Sequence, residues 1–152
     1  MTKRIRKKSL SELDLTSLTA MVLSSEEKQA LAQGIILFNA QKFWKAHEVW
    51  ESIWQNHPED ARFFIQALIQ LAAAYHQLER KIYRGFVIHI RRAQERLELF
   101  PATFLGIHVN VLRGAVKKTI DTLDASDKLE NTDFFGIEIP KITSLPSQNG
   151  SG

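Results

Sequence analysis

Between Ala61 and Arg80 the chain reads ARFFIQALIQLAAAYHQLER, and no other stretch of its 152 residues narrows the fold as much. Phe64, Ile65, Leu68, Ile69, Leu71, Ala72, Tyr75 and Leu78 recur at helical spacing and cover well over half of a helix's circumference. A helix that is apolar on most sides has to be surrounded by other elements. Its polar residues fall into one stripe, Gln66, Gln70 and Gln77. His76 lies outside that stripe, in line with Ile65, Ile69 and Ala72, on a face expected to be dry.

The neighbours of this central helix are helices too. Ser24 or Ser25 can cap a first one, with Glu26 and Glu27 favouring its dipole and Leu31, Ile35 and Phe38 as its core line, widened by Ile36 and Leu37. "NAQK" turns into a second helix, KFWKAHEVWESIW, in which Phe43, Trp50, Trp54 and Glu51 all lie within about 60° of His47. Lys42, Lys45, Val49 and Ser52 face the other way, so the stripe around His47 is the side expected to be buried. "NHPED" ends it, because Pro58 cannot continue a helix and Asp60 can cap the next.

A fourth helix is expected from about Tyr83 to Phe100 along Phe86, Ile90, Ala93 and Leu97, with Pro101 after its end. "TFLGIHV" reads as a connection, and Asn110 can cap a fifth helix built on Leu112, Val116, Ile120 and Leu123. Short connections make neighbours antiparallel. The expected fold is therefore all-α, a compact bundle of about five helices in one domain, residues 24–124. Residues 1–23 read as a basic, largely flexible arm, and 125–152 as an extended or disordered tail in which "NTDFFGIEIPKI" can strap across the helices.

Charge and composition exclude several functions. The net charge of +3 comes from the arm: Lys3, Arg4, Arg6, Lys7 and Lys8 carry it, and the remaining 15 of 20 basic residues are outnumbered by 17 acidic ones. Contact with nucleic acid or an anionic surface is thus confined to that tail, for which a solubilising arm is the plainer reading. There is no cysteine, so thiolate chemistry and disulfides are out. No run approaches the roughly 20 apolar residues of a membrane span, and no apolar run follows the basic start, which makes a cytoplasmic protein the expectation. Neither a serine elbow nor a phosphate-cradling glycine loop is present.

The segments LFNAQKFWKAHEVWESIW, FIQALIQLAAAYHQLERKIYRGF and AQERLELFPATFLGIHVNVL resemble, over roughly residues 30 to 123, a small bacterial and archaeal family known as domain of unknown function 309. The resemblance implies an all-α fold of about five helices, and members have been described as metal-dependent hydrolases. It places His47, Glu48, Glu51 and His76 on the family's polar positions, with Trp54 and Gln70 beside them. This chain departs from the pattern at Ala67, where glycine is usual, and at ERKIYRG, where an Arg-Gly-Asn turn is usual; Gly85 is kept.

Helical geometry selects His47, Glu51 and His76 as well, and it leaves three readings open. In the first, those three bind a divalent zinc, manganese or iron ion and Glu48 serves as general base for hydrolysis. HEVWE is a near miss of the His-Glu-x-x-His motif, with Glu51 where that motif has histidine. In the second, His47, Glu51 and His76 form a structural hydrogen-bond network joined by Trp54 and Tyr75. In the third, the chain is a non-enzymatic interaction module whose glutamine stripe lines a site for a small molecule or peptide, or a homo-oligomer interface. His57 is expected in solvent, while His89, beside Arg92, and His108 join a site only if the fold brings them to one.

Overall fold

Ser24 starts the first helix with a capping box: its hydroxyl accepts from the Glu27 N–H at 3.1 Å, and the Glu27 carboxylate accepts from the Ser24 N–H at 3.0 Å. The computed structural model describes residue 19, residues 21–58 and residues 61–145. The expectations for residues 1–18, for 146–152, for the Asp60 cap and for the Trp54 side chain lie outside what is described.

Among the described residues, five helices follow in order: α1 Ser25–Asn39, α2 Phe43–Trp54, α3 Phe63–Glu79, α4 Tyr83–Leu97 and α5 Val109–Asp124. Among the described residues the bundle is all-α apart from a hairpin of two-residue strands, β1 Thr103–Phe104 with β2 Ile107–His108. That hairpin occupies the expected connection. Leu105 and Gly106 both have positive φ, 50° and 79°, which is the backbone of a tight hairpin turn. The expected Asn110 cap is not used: α5 begins at Val109, and the Asn110 N–H donates to Ala102 O in the hairpin segment. α4 ends at Leu97, short of Phe100, which is still buried.

The apolar central helix is central in fact. α3 packs against α2 on one side and α4 on the other, with α1 outside α2 and α5 outside α4. An aromatic column ties the layers together. Phe38 meets Phe43 edge-on at 5.1 Å and Tyr75 at 5.9 Å, and Tyr75 meets Phe86 at 5.7 Å. All four rings are fully buried, and so is Trp50. Ile36 does not widen the buried face of α1: it is 63% exposed, and Gly34 takes the core position because Trp50 fills the space a side chain there would need.

α1 to α2 and α3 to α4 are closed by the same turn. The N–H of Lys42 reaches back to Leu37 O at 2.8 Å, and that of Ile82 to Gln77 O at 2.9 Å. Gln41 and Lys81 sit at φ 62° and 60°, the left-handed conformation that glycine adopts without strain. Lys81 lies in ERKIYRG, the segment that departs from the pattern the chain resembles. Lys81→Gly is expected to stabilise the fold by about 0.5–1 kcal/mol, read as a higher urea midpoint at unchanged slope.

The C-terminal segment forms the expected strap. A 3-10 turn at Asn131–Phe134 stacks Phe134 on Tyr83 at 4.3 Å, and Ile142 is buried. The Asn39 side chain holds the strap like a strand partner: Nδ2 donates to Ile142 O at 3.0 Å and Oδ1 accepts the Ile142 N–H at 2.8 Å. His57, expected in solvent, is instead partly buried and meets Glu27 Oε2 at 2.7 Å, tying the α2–α3 connection to the start of α1. No described helix is long and apolar enough to cross a membrane.

Candidate functional site

α3 is buried around most of its circumference and open along one line. Gln66, Ile69, Gln70, Ala73, His76 and Gln77 are only partly buried, whereas Phe63, Phe64, Ile65, Leu68, Leu71, Ala72 and Tyr75 are sealed. At 100° per residue these half-open positions form one stripe, with His76 at its edge rather than on a dry face. α2 supplies the wall on one side and α4 on the other, so the stripe becomes the floor of a polar face spanning three helices.

The α2 wall carries Trp44, His47, Glu48 and Glu51, which lie three or four residues apart and so share a side. Trp44 stacks on His47 with ring centroids 4.7 Å apart and planes 8° apart, and lies 5.3 Å from the ring of His76. The three rings form one aromatic group, yet Trp44 remains 50% exposed. Glu51 comes within 3.4 Å of His47 Nε2, with its own side chain 40% exposed. Glu48 is exposed and has no ion pair among the described residues.

The α4 wall brings in His89, expected to join a site only if the fold carries it to one. Its Nδ1 lies 2.7 Å from Gln70 Oε1, across the α3–α4 interface. An amide oxygen can only accept, so Nδ1 carries the hydrogen and Nε2 of the neutral ring keeps its lone pair. Burial holds the His89 pKa below its usual value, reinforced by Arg92 and then by His47. The field of His47 at His89 is the sign that the two walls act on one another. A periodicity argument misses this because His89 and His47 are 42 positions apart and come within electrostatic reach only once α2 and α4 are packed on either side of α3.

The sign of the resulting pH dependence follows from that depressed pKa. Below the ordinary histidine range the unfolded chain binds a proton that folded His89 resists, so its contribution is present at pH 7.5 and lost as pH falls through the lowered folded value. In His89→Ala, the fall in melting temperature between pH 7.5 and 5 is expected to be smaller than in the parent. An unchanged fall would mean that His89 is not held neutral by its surroundings.

The arrangement bears on each use proposed for these groups. Among the described residues, no group of three or more His, Asp or Glu is placed to hold a metal ion. His47 and Glu51 form a pair, and His76 meets that pair through the Trp44 ring. The hydrogen-bond network is also sparse. Tyr75 Oη is buried without a partner, Trp50 Nε1 donates to Leu31 O at 3.3 Å on the α1 side, and His76 makes no hydrogen bond among the described residues. Two buried polar atoms at this face also lack partners, His47 Nδ1 and Gln77 Oε1.

Residues 31–89 match the family model described as domain of unknown function (DUF309). The matched segment holds the whole polar face, from Trp44 to His89, and ends before the hairpin and α5. No curated protein matches the chain.

Proposed function

Since the chain belongs, over residues 31–89, to the domain of unknown function 309 family, and its polar face lies within that segment, we propose that the protein is a helical binding module that takes a small ligand on this face. One observation carries the reading. Apart from its C-terminal Leu78 and Glu79, the central helix is sealed except along Gln66, Ile69, Gln70, Ala73, His76 and Gln77, and polar groups that a purely structural helix would bury as apolar ones are gathered there. Buried polar atoms ordinarily find partners, and two that lack one, His47 Nδ1 and Gln77 Oε1, belong to residues of this face.

A metal-dependent hydrolase is the second reading, with His47, Glu51 and His76 as ligands of a zinc, manganese or iron ion and Glu48 as general base. It is favoured by the 3.4 Å approach of Glu51 to His47, since a carboxylate that orients an imidazole is a common companion of metal binding. The residues meet the demand in part, a pair where three ligands are wanted. Such a metal, when bound, would supply a water acidic enough to attack at neutral pH. For the chain's own residues, this reading asks that His76 leave the ring of Trp44.

Native mass spectrometry and elemental analysis of the full chain, purified without chelator, separate the two. A retained organic molecule, lost in Trp44→Leu, is the expected result. Stoichiometric zinc, manganese or iron that disappears in His47→Ala would favour the hydrolase, and a dimer that dissociates in Trp44→Leu would make the face an interface between copies.

A further inference from the structure

The bonding inventory of the polar face says what kind of ligand suits it, a step that rests on the binding reading above. Three acceptor atoms stand out. Gln70 Oε1 holds the hydrogen on His89 Nδ1, which leaves Nε2 as an acceptor. A carboxylate accepts only, so the ring nitrogen of His47 that faces Glu51 carries the hydrogen when the ring is neutral, and Nδ1 is left with a lone pair. Gln77 Oε1, against the backbone of Gly85, is a third acceptor without a donor.

Two carboxylates stand on the same wall with little to neutralise them. Glu48 is exposed one helical turn from Trp44 without an ion pair among the described residues, and the one described partner of Glu51 is His47. Lys42 lies on the far side of α2, Lys45, three residues before Glu48, makes no ion pair with it among the described residues, and Arg92 lies against His89 on the opposite wall. Against both imidazoles lies the Trp44 indole, held in place by His47 and His76 yet half exposed. The face of an indole attracts cations, most strongly when the ring is fixed and partly desolvated.

We propose that the α2 side of the polar face binds an organic ammonium group, seated on the Trp44 ring and held by Glu48 and Glu51. Trp44 gives the π surface, the carboxylates give charge, and the acceptor on His89 suits a further N–H group of the same ligand. Arg92 keeps the cationic end of that ligand on the α2 wall.

The test uses the 15N-labelled full chain and simple probes. n-Butylammonium and tetramethylammonium are titrated while the indole N–H signal of Trp44 is followed, identified by its loss in Trp44→Phe. Inorganic phosphate and Zn2+ alone serve as comparison probes. The expected result is a saturable shift with an ammonium probe, weakened about tenfold in Glu48→Gln,Glu51→Gln and without response to phosphate. Melting curves check that the variants fold. An ammonium shift unchanged in the double variant overturns the proposal. A saturable response to phosphate or Zn2+ in place of the ammonium probes overturns the ligand class but leaves the binding face standing. No response to any probe in a folded protein overturns both.

Discussion

Gly34→Ala is expected to destabilise the protein by about 3 kcal/mol and to lower its melting temperature by roughly 6–12 °C. A Cβ at this position would lie 2.0 Å from Trp50 Nε1 and 2.5 Å from two further indole atoms, all in the side chain of a fully buried tryptophan. The indole cannot easily give way. Its N–H donates to Leu31 O at 3.3 Å, and its ring lies 6.1 Å from Phe38, which anchors the aromatic column. The methyl group therefore has to push α1 away from α2 or force Trp50 off its rotamer. Gly34→Ala combined with Trp50→Phe is expected to be more stable than the two single losses add up to, because a smaller ring makes room for the methyl. Strict additivity in that cycle would show that Gly34 and Trp50 are not in conflict.

The second large effect is predicted for Asn39→Ala. This side chain satisfies both backbone groups of buried Ile142, and nothing described replaces it. Unpaired buried backbone groups cost about 1–3 kcal/mol each, so the strap is expected to loosen rather than stay in place unbonded. Hydrogen exchange reads this directly. The amides of Ile142, Leu145 and His108, which close the strap onto Asn39 and the hairpin, should exchange at least about tenfold faster. Amides inside α3 should keep their protection, since the strap contributes to one side of the bundle only. Equal acceleration throughout the helices would mean that strap and bundle open as one unit.

Much of the helical architecture is legible in the sequence because it depends on short-range terms. The Ser24 cap, the α3 run and the Leu112, Val116, Ile120 and Leu123 line each follow from residues within a few turns of one another. His47 and Glu51 are one turn apart, and their meeting follows from helix geometry alone. The errors are equally physical. Periodicity gives the direction of a residue but not what occupies the space there. Ile36 is in solvent because Trp50 fills the room beside Gly34, and His57 is drawn out of solvent by Glu27, 30 positions earlier.

By itself, the sequence determined that this chain is a helical bundle around an apolar third helix, with ionisable groups on the face of the second, because spacing along a helix and the cost of exposing apolar surface act locally. Tertiary structure alone decided which polar groups share a face. It placed His76 on the half-open edge of α3 beside Trp44, brought His89 to Gln70 and into the field of His47, and held the strap with Asn39. Those pairings depend on how three helices cross and on which side chains fill the space between them, and no periodicity within one helix records that.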